Sequence, residues 1–140
     1  MPSFGPASQV QLATLHHRLQ EVLVDAVKYY DFSIVEGYRG EVAQNAAFAK
    51  GLSKLPWPKG NHNNNPSTAA DCAPFPIDWS DRPDSIRRFC YMAGFILASA
   101  RRLGIKVRWG GDWNQNDDLR DEGSFRDWPH FELVEPNAGN

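Results

Sequence analysis

Leu12, Leu15, Leu19, Val22, Leu23, Ala26, Val27 and Tyr30 recur at helical spacing, while Gln11, Arg18, Gln20, Glu21, Asp25 and Lys28 fill the other side. This pattern predicts one amphipathic helix over residues 8–30, with Ser8 as its N-cap. Residues 32–35 are short and β-rich and read as a strand. Gly37 and Gly40 then bracket Tyr38 and Arg39 and turn the chain. Val42, Ala46, Phe48, Ala49 and Leu52 predict a second helix over 41–52. Between 55 and 67 three prolines, Gly60 and the run Asn63-Asn64-Asn65 leave no periodicity, so the segment is a loop. Residues 68–73 suit a strand, and 75–79, interrupted by Pro76, an extended connector. Ile86, Phe89, Cys90, Ala93, Ile96, Leu97, Ala100 and Leu103 mark a third helix over 84–103, closed by Gly104. Further strands are expected at 105–109 and 131–134, with a turn at Gly110-Gly111, a polar loop over 112–126 and a tail over 136–140.

The helices do not alternate regularly with strands. The expectation is an α+β domain, three main helices packed on a small, mainly antiparallel sheet. The 140 residues show no repeat or linker and fit one domain, 1–140. Fifteen Lys and Arg against seventeen Asp and Glu are spread thinly. Arg101, Arg102, Lys106 and Arg108 fit a solvated helix end better than a nucleic-acid footprint, so no nucleic-acid partner is expected. No stretch supplies the roughly 20 apolar residues of a membrane helix. The start lacks a basic region followed by an apolar core, so the expectation is synthesis in a cytoplasm. Cys72 and Cys90 could pair in principle, but two buried free thiols are the simpler reading for a cytoplasmic product.

Of the four histidines, His16 and His17 fall inside the first predicted helix and read as ordinary helix residues. His62 lies in the asparagine-rich loop, which gains little from hydrophobic burial and needs another reason for order. Asp71 stands among alanines and a cysteine, where a carboxylate is costly unless paired or bound to a cation. His130 stands at the start of the last strand. Two imidazoles and a carboxylate suit zinc and leave a fourth position open for water; the alternative is a set of hydrogen-bonded loop and strand residues. Asp127, three residues before His130, is placed to exchange protons with an attacking water and a leaving amine. Its alternative is a solvent-facing acid among Asp117, Asp118, Asp121 and Glu122. Arg39 either points into the same cleft, to polarise a scissile carbonyl, or pairs at the surface with Glu36 or Glu41.

The pieces Glu36-Gly37-Tyr38-Arg39, Gly51-Leu52-Ser53-Lys54-Leu55 with Trp57-Pro58, and His62 through Pro66-Ser67 to Ala70-Asp71 occur in this order. Ala73-Pro74-Phe75-Pro76-Ile77-Asp78-Trp79, Trp109-Gly110-Gly111-Asp112-Trp113 and Asp127-Trp128-Pro129-His130-Phe131-Glu132-Leu133 follow. Together the set resembles the zinc D-alanyl-D-alanine carboxypeptidases and L-alanyl-D-glutamate endopeptidases, in particular single-domain bacteriophage endolysins. The resemblance implies one Zn2+ per chain in a cleft beside the sheet, held by His62, Asp71 and His130. It further implies Asp127 as general base and Arg39 at the carbonyl. Tyr38, Asn61, Thr68, Trp109, Asp112 and Trp113 are implied as cleft residues. Asn61 stands where the family commonly has serine, and Thr68 where a basic residue is frequent, which bears on specificity more than on chemistry.

The implied function is an endolysin cutting peptidoglycan stem peptides at the L-alanyl-D-glutamate bond. The implied enzyme is a monomer without a separate wall-binding domain or stable membrane association. It is made in the host cytoplasm and reaches the wall after a separate protein permeabilises the inner membrane. The alternatives are a D-alanyl-D-alanine carboxypeptidase with the same metal and base, or a non-catalytic virion protein of the same fold.

Overall fold

The computed structural model describes residues 1–120, 123 and 125–135; the tail expected over 136–140 and the acids Asp121 and Glu122 lie outside the described residues. Helices pack against a four-stranded antiparallel sheet, as the α+β expectation has it. The strands are β1 (Phe32–Glu36), β2 (Ala69–Pro74), β3 (Val107–Gly110) and β4 (Asp127–Leu133), ordered β1-β2-β4-β3.

The first predicted helix is two helices, α1 (Pro6–Leu12) and α2 (His17–Val27). Between them Leu15 pairs with Ser67: His16 N–H donates to the Ser67 carbonyl at 2.8 Å, and Ser67 N–H to the Thr14 carbonyl at 2.9 Å. Neither a proline nor a glycine marks this break, and Leu12, Leu15 and Leu19 keep helical spacing across it, so periodicity alone does not show it. Ser8 is not an N-cap. It is buried in α1, and its hydroxyl accepts from Ile34 N–H at 3.0 Å, tying α1 to β1. The N-cap of α2 is His16, whose Nδ1 accepts from Arg18 N–H at 3.2 Å.

The core joins Leu19, Val22, Leu23 and Ala26 of α2 to Phe89, Met92, Ala93 and Ile96 of the third major helix, α4 (Pro83–Arg102). The sheet contributes Phe32, Ile34, Ala70, Cys72, Phe131 and Leu133. Gly104, at φ +72°, ends α4 in the left-handed conformation its position called for. Cys72 and Cys90 are free thiols, the first buried and the second half-buried.

The remaining helix, α3 (Glu41–Ala49), departs from its predicted stripe. Val42 and Phe48 are exposed, as is Leu52 beyond its end, and the one buried residue is polar, Gln44. This helix is fastened by hydrogen bonds rather than by apolar area, and those bonds lead to the cleft.

Candidate metal centre and cleft

Asp71 and His130 face each other because β2 and β4 are antiparallel neighbours in register at that pair. Glu36 lies opposite Asp71 on the other side, so one row across three strands carries Glu36, Asp71 and His130. Side chains alternate along a strand, and the next residues, Ala70, Cys72 and Phe131, are fully buried in the core. The sheet is therefore apolar towards the helices and polar towards the cleft.

His62 reaches this row from a 3-10 turn, Asn61–Asn63, in the asparagine-rich loop. Arg39 N–H donates to the His62 carbonyl at 2.8 Å. Asn63 Nδ2 donates to the Arg39 carbonyl at 3.0 Å and to Gln44 Oε1 at 3.1 Å. Gln44 Oε1 also accepts from Arg39 Nη1 at 3.0 Å, while its amide nitrogen donates to Ser53 Oγ and to the Leu55 carbonyl. One buried amide thus joins α3, Arg39 and the loop that supplies His62. Thr68 is part of the same fastening: its hydroxyl donates to the Asn61 carbonyl at 3.2 Å and accepts from Asn64 Nδ2 at 2.8 Å.

The hydrogen bonds set the imidazole tautomers. His62 Nδ1 lies 2.8 Å from the Gly37 carbonyl, which can only accept, so Nδ1 carries the proton. The lone pair on Nε2 then faces Asp71 Oδ1 at 3.2 Å. His130 Nε2 lies 2.7 Å from Glu132 Oε1, so there Nε2 carries the proton and the Nδ1 lone pair looks inward. That Nδ1 is 3.6 Å from Asp71 Oδ1 and 4.0 Å from Asp127 Oδ2. His62 Nε2 and Asp71 Oδ1 are buried without a hydrogen-bond partner. Lone pairs pressed together in a buried site repel unless a cation sits among them. One ligand atom from each of His62, Asp71 and His130 lies within 4.8 Å of the others, a fit for a single ion. Each histidine is oriented by a partner on its far nitrogen, as metal-ligating histidines are.

Where no metal ion is bound, a further proton on a histidine would take the cation's place among these groups. Burial opposes a charge on His130, yet hydrogen bonds to Asp71 and Glu132 push its proton affinity up to about 9. Burial would raise the Asp71 carboxyl, but hydrogen bonds from His130 and His62 outweigh it and hold it well below the usual range. Glu132, against its burial, is held at about 2 by His130 and Arg108. Asp127 is pushed up to about 6 by burial and by the charge of Asp71. A pocket that keeps a proton so firmly also favours a dication in its place.

Asp127 owes its position to an irregularity. Trp109 pairs with Phe131, but the next residue, Gly110, pairs with Asp127. Residues three apart in a regular strand point to opposite faces; the slip brings Asp127 to the side of His130. A Cβ on Gly110 would lie 2.1 Å from the Asp127 carbonyl oxygen, so only glycine permits this approach.

The cleft above the row encloses about 1030 Å³ and is lined by Arg39, His62, Asp71, Asp127 and His130 together. Arg39 fits both of its expected placements: Nε pairs with Glu36, while Nη2 lies 3.5 Å from Asp71 Oδ2 inside the cleft. Of the other expected cleft residues, Asn61 and Trp113 line it. Tyr38, Thr68, Trp109 and Asp112 are not in its wall. Trp109 is buried with its indole N–H on the Trp128 carbonyl at 2.7 Å, and Asp112 accepts from Asp117 N–H at 2.9 Å. Both border a separate cavity at the C-terminal end of α4. Sequence reasoning missed Gln44, to which no pattern pointed, and the supporting part of Glu132, which its i+2 spacing from His130 on a strand would have suggested.

A family model described as phage L-alanyl-D-glutamate peptidase matches residues 2–134. The L-alanyl-D-glutamate peptidase of Escherichia phage T5 is 40% identical over 141 residues, covering 94% of this chain and 97% of that protein. The crystal structure of the L-Ala D-Glu endopeptidase ChiX from Serratia marcescens matches with a TM-score of 0.72 at 26% identity, over 93% of this chain and 88% of that one.

Proposed function

We infer the activity from the family to which this chain belongs, the phage L-alanyl-D-glutamate peptidases: it is a metal-dependent peptidoglycan endopeptidase that hydrolyses the L-alanyl-D-glutamate bond of stem peptides. The observation that carries the chemistry is the convergence of the His62, Asp71 and His130 lone pairs on one point, two of the atoms buried and unpaired. Two imidazoles and a carboxylate with an open fourth position suit zinc, one ion per chain. Zinc supplies Lewis acidity and acidifies a coordinated water.

This chain's residues do the rest. Asp127 accepts a proton from the attacking water and returns it to the leaving amine. Its cleft-side position, 4.0 Å from His130 Nδ1, supports that role. With a pKa of about 6, raised by burial and by Asp71, Asp127 is already mostly ionised at neutral pH, and a cation held beside it would keep it so. Arg39 holds Asp71 and offers positive charge where the carbonyl oxygen develops negative charge. The family match, spanning residues 2–134 as one unit, supports a single catalytic domain. With that activity goes the rest of our proposal, drawn from the resemblance to phage endolysins: a monomer made in the host cytoplasm that gains the wall once a separate protein opens the inner membrane.

Digestion of purified peptidoglycan with zinc-loaded protein, with the new termini identified by mass, tests the reading. Released stem peptides should begin with D-glutamate. Release of terminal D-alanine alone would make the enzyme a carboxypeptidase instead.

A further inference from the structure

Beyond the ligands, the cleft wall carries an aromatic shelf with a cation at each end. Trp113 and Phe125 stack with ring centroids 5.9 Å apart and planes 14° from parallel. The Trp113 ring lies 5.6 Å from that of His130, so the shelf begins beside the metal centre. The Arg108 guanidinium sits 5.4 Å from the Trp113 ring centre, and the Lys54 ammonium 4.5 Å from that of Phe125. All four residues line the same cavity.

The two cations differ from Arg39 in what they have left to offer. Arg39 already serves Glu36, Gln44 and Asp71. Arg108 gives Nη2 to Glu132 Oε2 at 2.7 Å, which fixes the side chain, yet its Nε is buried without an acceptor. The side chain is nonetheless 37% exposed and lines the cleft, so the outer face of its guanidinium is open to an incoming anion. Lys54 has no carboxylate partner among the described residues. Aromatic faces between two such cations suit a residue that offers a carboxylate beside a short apolar chain.

D-glutamate is such a group. It has two carboxyl groups, a peptide extends through one, and the other stands free close to the scissile nitrogen. We propose that Arg108 and Lys54, across the Trp113–Phe125 shelf, form the subsite that binds this free carboxylate and so select glutamate on the leaving side of the bond. The proposal rests on the endopeptidase reading for the ligand's identity, but it concerns binding and is tested by binding.

The probes are two L-alanyl-D-glutamate peptides whose scissile amide is reduced to a methylene-amine. In one the spare carboxyl is free, and in the other it is a carboxamide. Calorimetry with zinc-loaded wild type should show the carboxylate binding about 10- to 100-fold tighter, the span of a charge-assisted hydrogen bond. Arg108→Gln should bring the ratio to within about threefold of one, and Arg108→Lys should restore part of it, with bound zinc at the wild-type level. Lys54→Glu, at an exposed position where folding is not at stake, should cut the ratio several-fold. A wild-type ratio near one overturns the proposal. So does equal weakening of both probes in Arg108→Gln, which would mean that Arg108 acts through Glu132 and His130, and so does an unchanged ratio in Lys54→Glu. Hydrolysis of the parent peptides is followed in parallel. Discrimination in binding without hydrolysis would defeat the endopeptidase reading and leave the subsite standing.

Discussion

Asp127 and the three candidate ligands are proposed to divide the work at the site, and substitutions can separate them. Asp127→Asn keeps the shape and removes the proposed base. It should retain about one zinc per chain while turnover falls by ~100-fold or more, checked by elemental analysis and initial rates on the same preparation. Zinc lost together with activity would make Asp127 a ligand. Arg39→Ala should lower turnover by the roughly 3–4 kcal/mol of a lost transition-state donor while the protein stays folded and zinc-loaded. Unchanged turnover would leave Arg39 only its pairing with Glu36. His62, Asp71, His130, Asp127 and Arg39 could all be singled out in the sequence, but each also has an ordinary reading there, and it is the resemblance that joins them into one site. Gln44 could not. An amide on a short helix carries no sign that it will be buried, and its importance exists only once Arg39, Asn63 and Leu55 have been brought to it.

At the scale of elements, hydrophobic spacing located α4 and the strands well, because their apolar faces are what folding buries. It failed where backbone pairing or polar bonding decides. The α1–α2 break is made by Ser67, fifty residues away in sequence, and α3 turns a polar residue inward. The last strand begins at Asp127, four residues before its expected start, because β3 pairs with it out of step. Gly110→Ala tests that slip. The added Cβ must displace the Asp127 carbonyl or move β3, and overpacking of this kind costs about 1–3 kcal/mol. Denaturant unfolding should show a loss in that range, and turnover should fall further than zinc content, because Asp127 moves more than the ligands do. Wild-type stability in this variant would mean that the β3–β4 slip can relax without cost.

For the molecule as a whole, the ligands come from two strands and a loop, so a bound ion ties the loop to the sheet. Chelation should lower the melting temperature as well as abolish lysis, and excess zinc should restore both; ligand at 1,000 times its Kd contributes about 4 kcal/mol. A melting temperature unmoved by chelator would mean that the loop holds its place without the ion. The Gln44 fastening has a further consequence, in time rather than in place. Directional bonds around a single side chain let go one by one, whereas the apolar core yields all at once. On mild warming without zinc, amides of residues 60–64 should therefore exchange with deuterium well before those of β2 and α4. The capacity to take up zinc would then lapse while the rest of the molecule is still folded, and cooling would bring it back.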